Sequence, residues 1–123
     1  MPKSILIVDD EADVRAVIQL GLEMATDWQI LSASSGAEAL VTAADRCPDA
    51  ILLDLMMPDM DGRATLQQLK ANPTTEGIPV ILVTAKAQAF QQANEPDLAV
   101  AAVLAKPFRP LKLAAEISGI LGW

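Results

Sequence analysis

The sequence predicts an α/β protein in which a parallel sheet is covered by helices on both faces. Short apolar runs alternate with segments whose apolar residues recur at helical spacing. The runs are apolar on both sides, as strands are when helices cover both faces of a parallel sheet. This pattern gives five strand–helix units in 123 residues, a length that suits one domain with a buried core.

The first two units have clear boundaries. The first strand covers residues 4–8, and a helix is predicted over residues 11–25. Its inward face is predicted to comprise Val14, Val17, Ile18, Gly21, Leu22 and Ala25. The second strand is predicted at residues 28–32, and Ser35 and Glu38 form a capping box at the start of the second helix. The inward face of that helix is predicted to comprise Ala37, Leu40, Val41 and Ala44.

The remaining units are bounded mainly by prolines and by strand-end polar residues. The third strand ends at Asp54, the third helix ends near Ala71, and Pro79 opens the fourth strand. Residues 88–94 predict a fourth helix, and Pro110 suits the first position of the last helix. The inward face of the last helix is predicted to comprise Leu113, Ala114, Ile117, Ile120 and Leu121.

Composition excludes several functional classes. The net charge of −7 makes direct nucleic-acid binding unfavourable, because such binding depends on lysine and arginine neutralising phosphates. The absence of histidine excludes a phosphohistidine carrier and any histidine-based triad or zinc site. The single Cys47 cannot form an internal disulfide. With no membrane-length apolar run and no room for a signal peptide, a cytoplasmic protein without membrane contact is expected.

Polar residues follow four of the five predicted strands. Asp9 and Asp10 follow the first strand, Asp54 ends the third, Thr84 ends the fourth, and Lys106 follows the fifth. Each alone has a simple explanation as a helix cap, a turn residue, a strand residue or a solvated charge. The carboxyl ends of parallel strands share one edge, so together these groups converge on one pocket. Three carboxylates, a hydroxyl and an ammonium suit the Mg²⁺-assisted transfer of a phosphoryl group to an aspartate.

The ordered set of motifs resembles response-regulator receiver domains, the CheY-like family of two-component signalling. The resemblance rests on Val8-Asp9-Asp10-Glu11, on Asp54 with Met57-Pro58-Asp59-Met60-Asp61-Gly62, on Thr84-Ala85 and on Lys106-Pro107-Phe108. It covers the whole chain. It implies a flavodoxin-like (βα)5 fold with strand order 2-1-3-4-5, and a single receiver domain over residues 1–123 without an output domain.

The resemblance also implies a role for each site residue. Asp54 is the expected phosphoacceptor. The expected Mg²⁺ ligands are Asp9, Asp10, Asp54 and the backbone carbonyl of Met56. The groups expected to bind the phosphoryl group are the Thr84 hydroxyl, the Ala85 backbone and the Lys106 ammonium. Two departures from the family are evident. Val103 stands where the family usually has tyrosine or phenylalanine, and Asp97-Leu98-Ala99-Val100 replaces the usual Gly-Ala.

The function implied by the resemblance is a phosphorylation-controlled switch. The donor would be the phosphohistidine of a histidine kinase or of a histidine phosphotransfer protein. The output would be altered binding to a downstream protein or to a second copy of the chain, through the surface of the fourth helix, fifth strand and fifth helix. Enzymatic activity would be limited to self-phosphorylation from small donors and self-dephosphorylation.

Three alternatives remain open on sequence grounds. An aspartate-nucleophile phosphatase of the haloacid dehalogenase type requires a second aspartate where this chain has Met56. A flavin-binding flavodoxin-like module requires a Ser/Thr/Gly-rich phosphate loop after the first strand, and none is present. A pseudo-receiver would bind partners without phosphate, and the intact set of acidic, hydroxyl and ammonium groups argues against it.

Overall fold

The computed structural model of the chain describes residues 3–54, 62–84, 100–105 and 110–123. The elements in these ranges, in chain order, are β1 (Ser4–Val8), α1 (Ala12–Ala25), β2 (Gln29–Ala33), α2 (Gly36–Arg46), β3 (Ala50–Asp54), α3 (Gly62–Ala71), β4 (Val80–Thr84), β5 (Ala102–Ala105) and the C-terminal helix (Pro110–Leu121). The helix expected at residues 88–94 lies outside the described residues. None of the helices that can be described is long and apolar enough to cross a membrane.

The five strands form one parallel sheet in the order β2-β1-β3-β4-β5. The register places Val8 of β1 opposite Leu53 of β3, and Asp54 of β3 opposite Val83 of β4. The last residue of β4, Thr84, lies opposite Ala105 of β5. The predicted fold class and strand order are therefore confirmed, and the carboxyl ends of β1, β3 and β4 lie at a common edge.

The core consists of two clusters, one on each face of the sheet. Successive strand residues alternate between the two faces, so Leu6 and Val8 belong to one cluster and Ile5 and Ile7 to the other. The first cluster includes Leu66 and Leu69 of α3 with Ala39 and Ala43 of α2. The second includes Ile18 and Leu22 of α1 with Leu113 and Ile117 of the C-terminal helix. Helices thus cover both faces, as the doubly apolar strands predict.

The buried face of α2 agrees with the predicted one only in part, since Leu40 is half-buried against the core. Among the residues expected to point inward, Ala37 and Val41 are exposed, and Val41 is 69% exposed. The buried residues are instead Gly36, Ala39 and Ala43. The predicted stripe carries Leu40 and Val41, whereas the buried stripe carries only glycine and alanine. The stripe with the smaller side chains lies against the sheet, where it permits close packing.

The predicted buried face of α1 and the predicted start of β2 need small corrections, whereas the start of the C-terminal helix is as predicted. Ile18, Gly21 and Leu22 are buried as predicted, but Val17 is 50% exposed and Ala25 is also exposed. The C-terminal helix begins at Pro110 and buries Leu113, Ala114 and Ile117 as predicted. Strand β2 begins one residue later than predicted, and Trp28 packs against the core cluster on the face of α1 and the C-terminal helix.

The capping box predicted for α2 forms with one change of partner. The Ser35 side chain accepts a hydrogen bond from the Glu38 N–H at 3.1 Å, as predicted. The Glu38 carboxylate, however, accepts from the N–H and the hydroxyl of Ser34, at 3.2 and 2.8 Å. It therefore binds the residue before the N-cap. These two hydrogen bonds lower the pKa of Glu38.

Residues 122–123 lie at the amino-terminal edge of the sheet, opposite the acidic residues. Gly122 has a positive φ of 75°, and its N–H and that of Trp123 both donate to the carbonyl of Ser118, at 2.8 and 3.1 Å. This turn brings the Trp123 ring against Trp28 in an edge-to-face pair with ring centroids 5.0 Å apart. The Lys3 ammonium lies 5.6 Å from the centre of the Trp123 ring.

Candidate functional site

Three carboxylates meet at the carboxyl edge of the sheet. Asp9 follows β1 and Asp54 ends β3, and the two strands are neighbours. Both side chains are buried, with 2% and 4% of their surface exposed, whereas Asp10 is exposed. One carboxylate oxygen from each of Asp9, Asp10 and Asp54 lies within 4.8 Å of the other two. The structure therefore brings together the three acidic residues that the sequence singles out.

The turn that carries Asp9 and Asp10 is held by several hydrogen bonds. The Asp9 N–H donates to the carbonyl of Ala33 at 3.2 Å. Its carboxylate accepts from the N–H of Glu11 at 2.9 Å, and its carbonyl accepts from Nη1 of Arg15 at 2.6 Å. The N-cap of α1 is Glu11, which makes no side-chain capping bond. Asp9 thus orders the turn before the helix while its carboxylate remains in the acidic cluster.

Thr84 lies at the same edge of the sheet, one strand beyond Asp54. It is the last residue of β4, and its surface is fully buried. Because its neighbour Val83 pairs with Asp54, the register places the threonine close to the end of β3. Of the other residues that the sequence assigns to the site, Met56, Ala85 and Lys106 lie outside the described residues.

Val103 occupies an ordinary position within the sheet. It lies in β5 opposite Leu82 and is half-buried. Its side chain packs against the core cluster on the α2–α3 face. A β-branched side chain is well suited to this position.

The electrostatics of the acidic cluster favour a bound cation. Two carboxylates about 4 Å apart repel each other by roughly 4 kcal/mol at an effective dielectric near 20. The described ligand atoms of the cluster are all carboxylate oxygens, which are the hard donors that Mg²⁺ prefers. One exposed carboxylate beside two buried ones also leaves an approach from solvent. The donor set therefore fits Mg²⁺.

Arg15 is a further residue beside the site, and no motif in the sequence marks it. It lies in the first turn of α1 and reaches back to the carbonyl of Asp9. The only indication of its contact with Asp9 in the sequence is one basic residue shortly after an acidic pair, which is weak evidence. An arginine at this place in a sequence reads equally well as a solvated helix residue.

Comparison with known proteins identifies the family. The model of the response regulator receiver domain matches residues 5–118. This chain belongs to the response regulator receiver family of two-component systems. Membership favours the receiver interpretation over the phosphatase and the flavin-binding module.

Several relatives place the chain within this family. The phosphate regulon transcriptional regulatory protein PhoB of Pseudomonas aeruginosa is 38% identical over 97% of this chain and 52% of its own length. The chain spans about half the length of the curated relatives it matches. A putative response regulator from Chloroflexus aurantiacus is 30% identical, with a TM-score of 0.87 over all of both chains. The receiver domain of the sensor histidine kinase PA1611 from Pseudomonas aeruginosa is 26% identical, with a TM-score of 0.86 over all of both chains, and holds a magnesium ion in its active site cleft.

Proposed function

We propose that this receiver domain accepts a phosphoryl group on Asp54 in a Mg²⁺-dependent reaction. The observation that carries the proposal is the position of Asp54, buried at the end of β3 with its carboxylate within 4.8 Å of those of Asp9 and Asp10. Magnesium in the active site cleft of the receiver of PA1611 supports the choice of metal. The described part of the chain contains no other group of three metal-ligating side chains.

The transfer itself requires little covalent chemistry from the protein. An oxygen of the Asp54 carboxylate attacks the phosphorus of a phosphohistidine, so that an O–P bond forms while the N–P bond breaks. The departing imidazole takes a proton from water. Bound Mg²⁺ would neutralise charge on the phosphoryl oxygens, and Asp9, Asp10, Asp54 and the Met56 carbonyl would hold it. The Thr84 hydroxyl, the Ala85 backbone and the Lys106 ammonium would bind the transferred group.

The signal would pass from a phosphoryl donor to a downstream target. Since the chain has no histidine, the phosphohistidine that donates the phosphoryl group would belong to a histidine kinase or a histidine phosphotransfer protein. Phosphorylation adds about −1.5 to −2 charges, which changes the balance between two conformations of the domain. The change would alter binding to a downstream protein or a second copy of the chain. The surface would comprise residues 88–94, β5 and the C-terminal helix.

Val103 makes a specific contribution to this proposal. Its small, half-buried side chain has little room to change its exposure. The conformational change would therefore centre on residues 85–94 rather than on Val103. We further propose that the protein acts in the cytoplasm as a signalling domain and not as a turnover enzyme.

Phosphorylation is tested by intact mass after incubation with Mg²⁺ and phosphoramidate or acetyl phosphate. The wild type should gain one phosphoryl group, and the gain should disappear in Asp54→Asn or with a chelator. Asp45→Asn is a matched control, because Asp45 is an exposed aspartate at the far end of α2. Equal labelling of Asp54→Asn and the wild type would exclude Asp54 as the acceptor. A wild type that takes no label would instead support a pseudo-receiver.

A further inference from the structure

We propose that Arg15 is a positioning residue for the metal site, an inference that rests on the proposed function. Its guanidinium holds the Asp9–Asp10 peptide in the orientation that directs the acidic side chains towards Asp54. Arg15 lies on α1 and contacts the backbone of the turn through the carbonyl of Asp9. Its side chain is half-buried. It touches neither metal nor phosphate in this account, so its effect passes through the turn.

The contact between Arg15 and Asp9 controls the direction of the next residue. The Nη1 to oxygen distance is 2.6 Å, which is short even for a charge-assisted hydrogen bond. The oxygen belongs to the peptide group that joins Asp9 to Asp10. Because a peptide group is planar, fixing its oxygen also fixes the direction in which the chain enters Asp10.

Asp10 is the ligand that depends most on this support. Asp9 is held through its N–H by Ala33 and through its carboxylate by Glu11. By contrast, Asp10 is exposed, and within residues 3–54, 62–84, 100–105 and 110–123 no hydrogen bond to its carboxylate is formed. Its position in the cluster is therefore set by the backbone that Arg15 holds.

Arg15 also acts electrostatically on Glu38 in the first turn of α2. The pKa of Glu38 is lowered first by the hydrogen bonds from Ser34 and, to a smaller extent, by the positive charge of Arg15. The hydrogen bond of the guanidinium is to the turn before α1, and its charge also favours the ionised form of Glu38 in the first turn of α2.

Two explanations for Arg15 predict opposite changes in Mg²⁺ affinity. If its charge alone mattered, removing a cation near the acidic cluster would strengthen Mg²⁺ binding, because like charges repel. If Arg15 positions the turn, its removal would weaken Mg²⁺ binding. A residue that only stabilised the fold would leave the affinity of the folded protein unchanged. The direction of the change in Mg²⁺ affinity distinguishes the first two explanations, and the absence of a change indicates a purely structural role.

The test compares three variants by calorimetric titration with Mg²⁺, with folding checked by circular dichroism. Arg15→Met keeps the length of the side chain but removes its charge and donors, and we expect the dissociation constant for Mg²⁺ to rise about tenfold. Arg15→Lys restores one donor and should recover part of the affinity. Arg46→Met removes an exposed arginine at the distant end of α2 and should change nothing. Unchanged or tighter binding by Arg15→Met would overturn the proposal.

A second measurement uses the metal-free protein. Hydrogen exchange of the Asp10 and Glu11 amides should be faster in Arg15→Met, whereas exchange within β3 should stay the same. Equal exchange at these two amides would show that Arg15 does not hold the turn. Failure of the wild type to bind Mg²⁺ would contradict the proposed function, and the exchange rates would still decide whether Arg15 orders the turn.

Discussion

Asp9 and Asp54 hold two buried carboxylates within 4.8 Å of each other at the ends of neighbouring parallel strands. Burying like charges at this separation destabilises the metal-free protein, because the two carboxylates repel each other and lose contact with water. The same arrangement favours a divalent cation. The acidic cluster therefore lowers the free energy of unfolding of the protein without bound metal.

The first prediction concerns this balance between stability and metal binding. Asp54→Asn removes one charge from the cluster and should raise the free energy of unfolding of the metal-free protein by about 1–2 kcal/mol. Saturating Mg²⁺ should stabilise the wild type but have a much smaller effect on the variant. Urea denaturation with and without Mg²⁺ measures both effects. An equal Mg²⁺ response in the two proteins would contradict a role for Asp54 in the metal site.

The second prediction concerns the cap of α2. Ser35→Ala removes the acceptor for the Glu38 N–H and should cost about 1 kcal/mol of stability at any pH. Thermal unfolding of the variant measures this cost. Ser32→Ala serves as a control, because Ser32 is an exposed serine in β2. A loss of equal size in Ser32→Ala would contradict the importance of the cap.

The third prediction concerns the pH dependence of Glu38. Hydrogen bonds from Ser34 lower the pKa of Glu38 below its usual 4.5, so the folded state favours the carboxylate. Its stabilisation is therefore complete above pH about 4.5 and is lost as the pH falls through the folded pKa. Glu38→Gln should lower stability by about 0.5 kcal/mol at pH 7 and by progressively less in acid. A pH-independent difference from the wild type in urea denaturation would contradict this.

The fourth prediction concerns Cys47 at the C-terminal end of α2. Cys47 has φ 46° and ψ 62°, the left-handed conformation that glycine adopts without strain. Its side chain is exposed. Cys47→Gly should raise the free energy of unfolding by about 1 kcal/mol, measured under reducing conditions. Cys47→Ala keeps the β-carbon and should have little effect. A gain of equal size in both variants would point to the thiol rather than to the backbone.

The fifth prediction concerns the loop between α3 and β4. The Lys70 ammonium donates to the carbonyls of Glu76 and Ile78, at 3.1 and 3.0 Å. Lys70→Met keeps the aliphatic chain but removes both hydrogen bonds, and should cost about 1–2 kcal/mol of stability. Lys112→Met, at an exposed position of the C-terminal helix, is the control. Equal free energies of unfolding in the two variants would show that this contact contributes little.

The strand pattern and the acidic cluster could be predicted from sequence because they depend on regular features. Alternation of doubly apolar runs with helical spacing predicts the parallel sheet, and strand ends meet at one edge in such a sheet. That reasoning places Asp9, Asp10 and Asp54 together without any knowledge of side-chain geometry. The end of α3 at Ala71 and the start of the C-terminal helix at Pro110 could also be predicted, because prolines mark both boundaries.

The features that could not be predicted depend on tertiary packing. The buried stripe of α2 differs from the predicted one because alanines occur both on the buried face, at Ala39, and on the exposed face, at Ala37, so the sequence gives little contrast between the two. Cys47 adopts a left-handed conformation where the chain leaves α2 and turns towards β3. A cysteine does not predict this conformation, which is typical of glycine. The contact from Arg15 to Asp9 requires a long side chain to turn back towards its own helix start.

The most direct test of the central claim is chemical location of the phosphoryl group. After incubation with Mg²⁺ and a small phosphoryl donor, borohydride reduces an acyl phosphate to an alcohol, which converts a phosphorylated aspartate to homoserine. Tandem mass spectrometry then identifies the modified residue. We predict homoserine at position 54 in the wild type and none after removal of Mg²⁺. Homoserine at Asp9 or Asp10 instead, or at Asp54 to the same extent without Mg²⁺, would contradict the account.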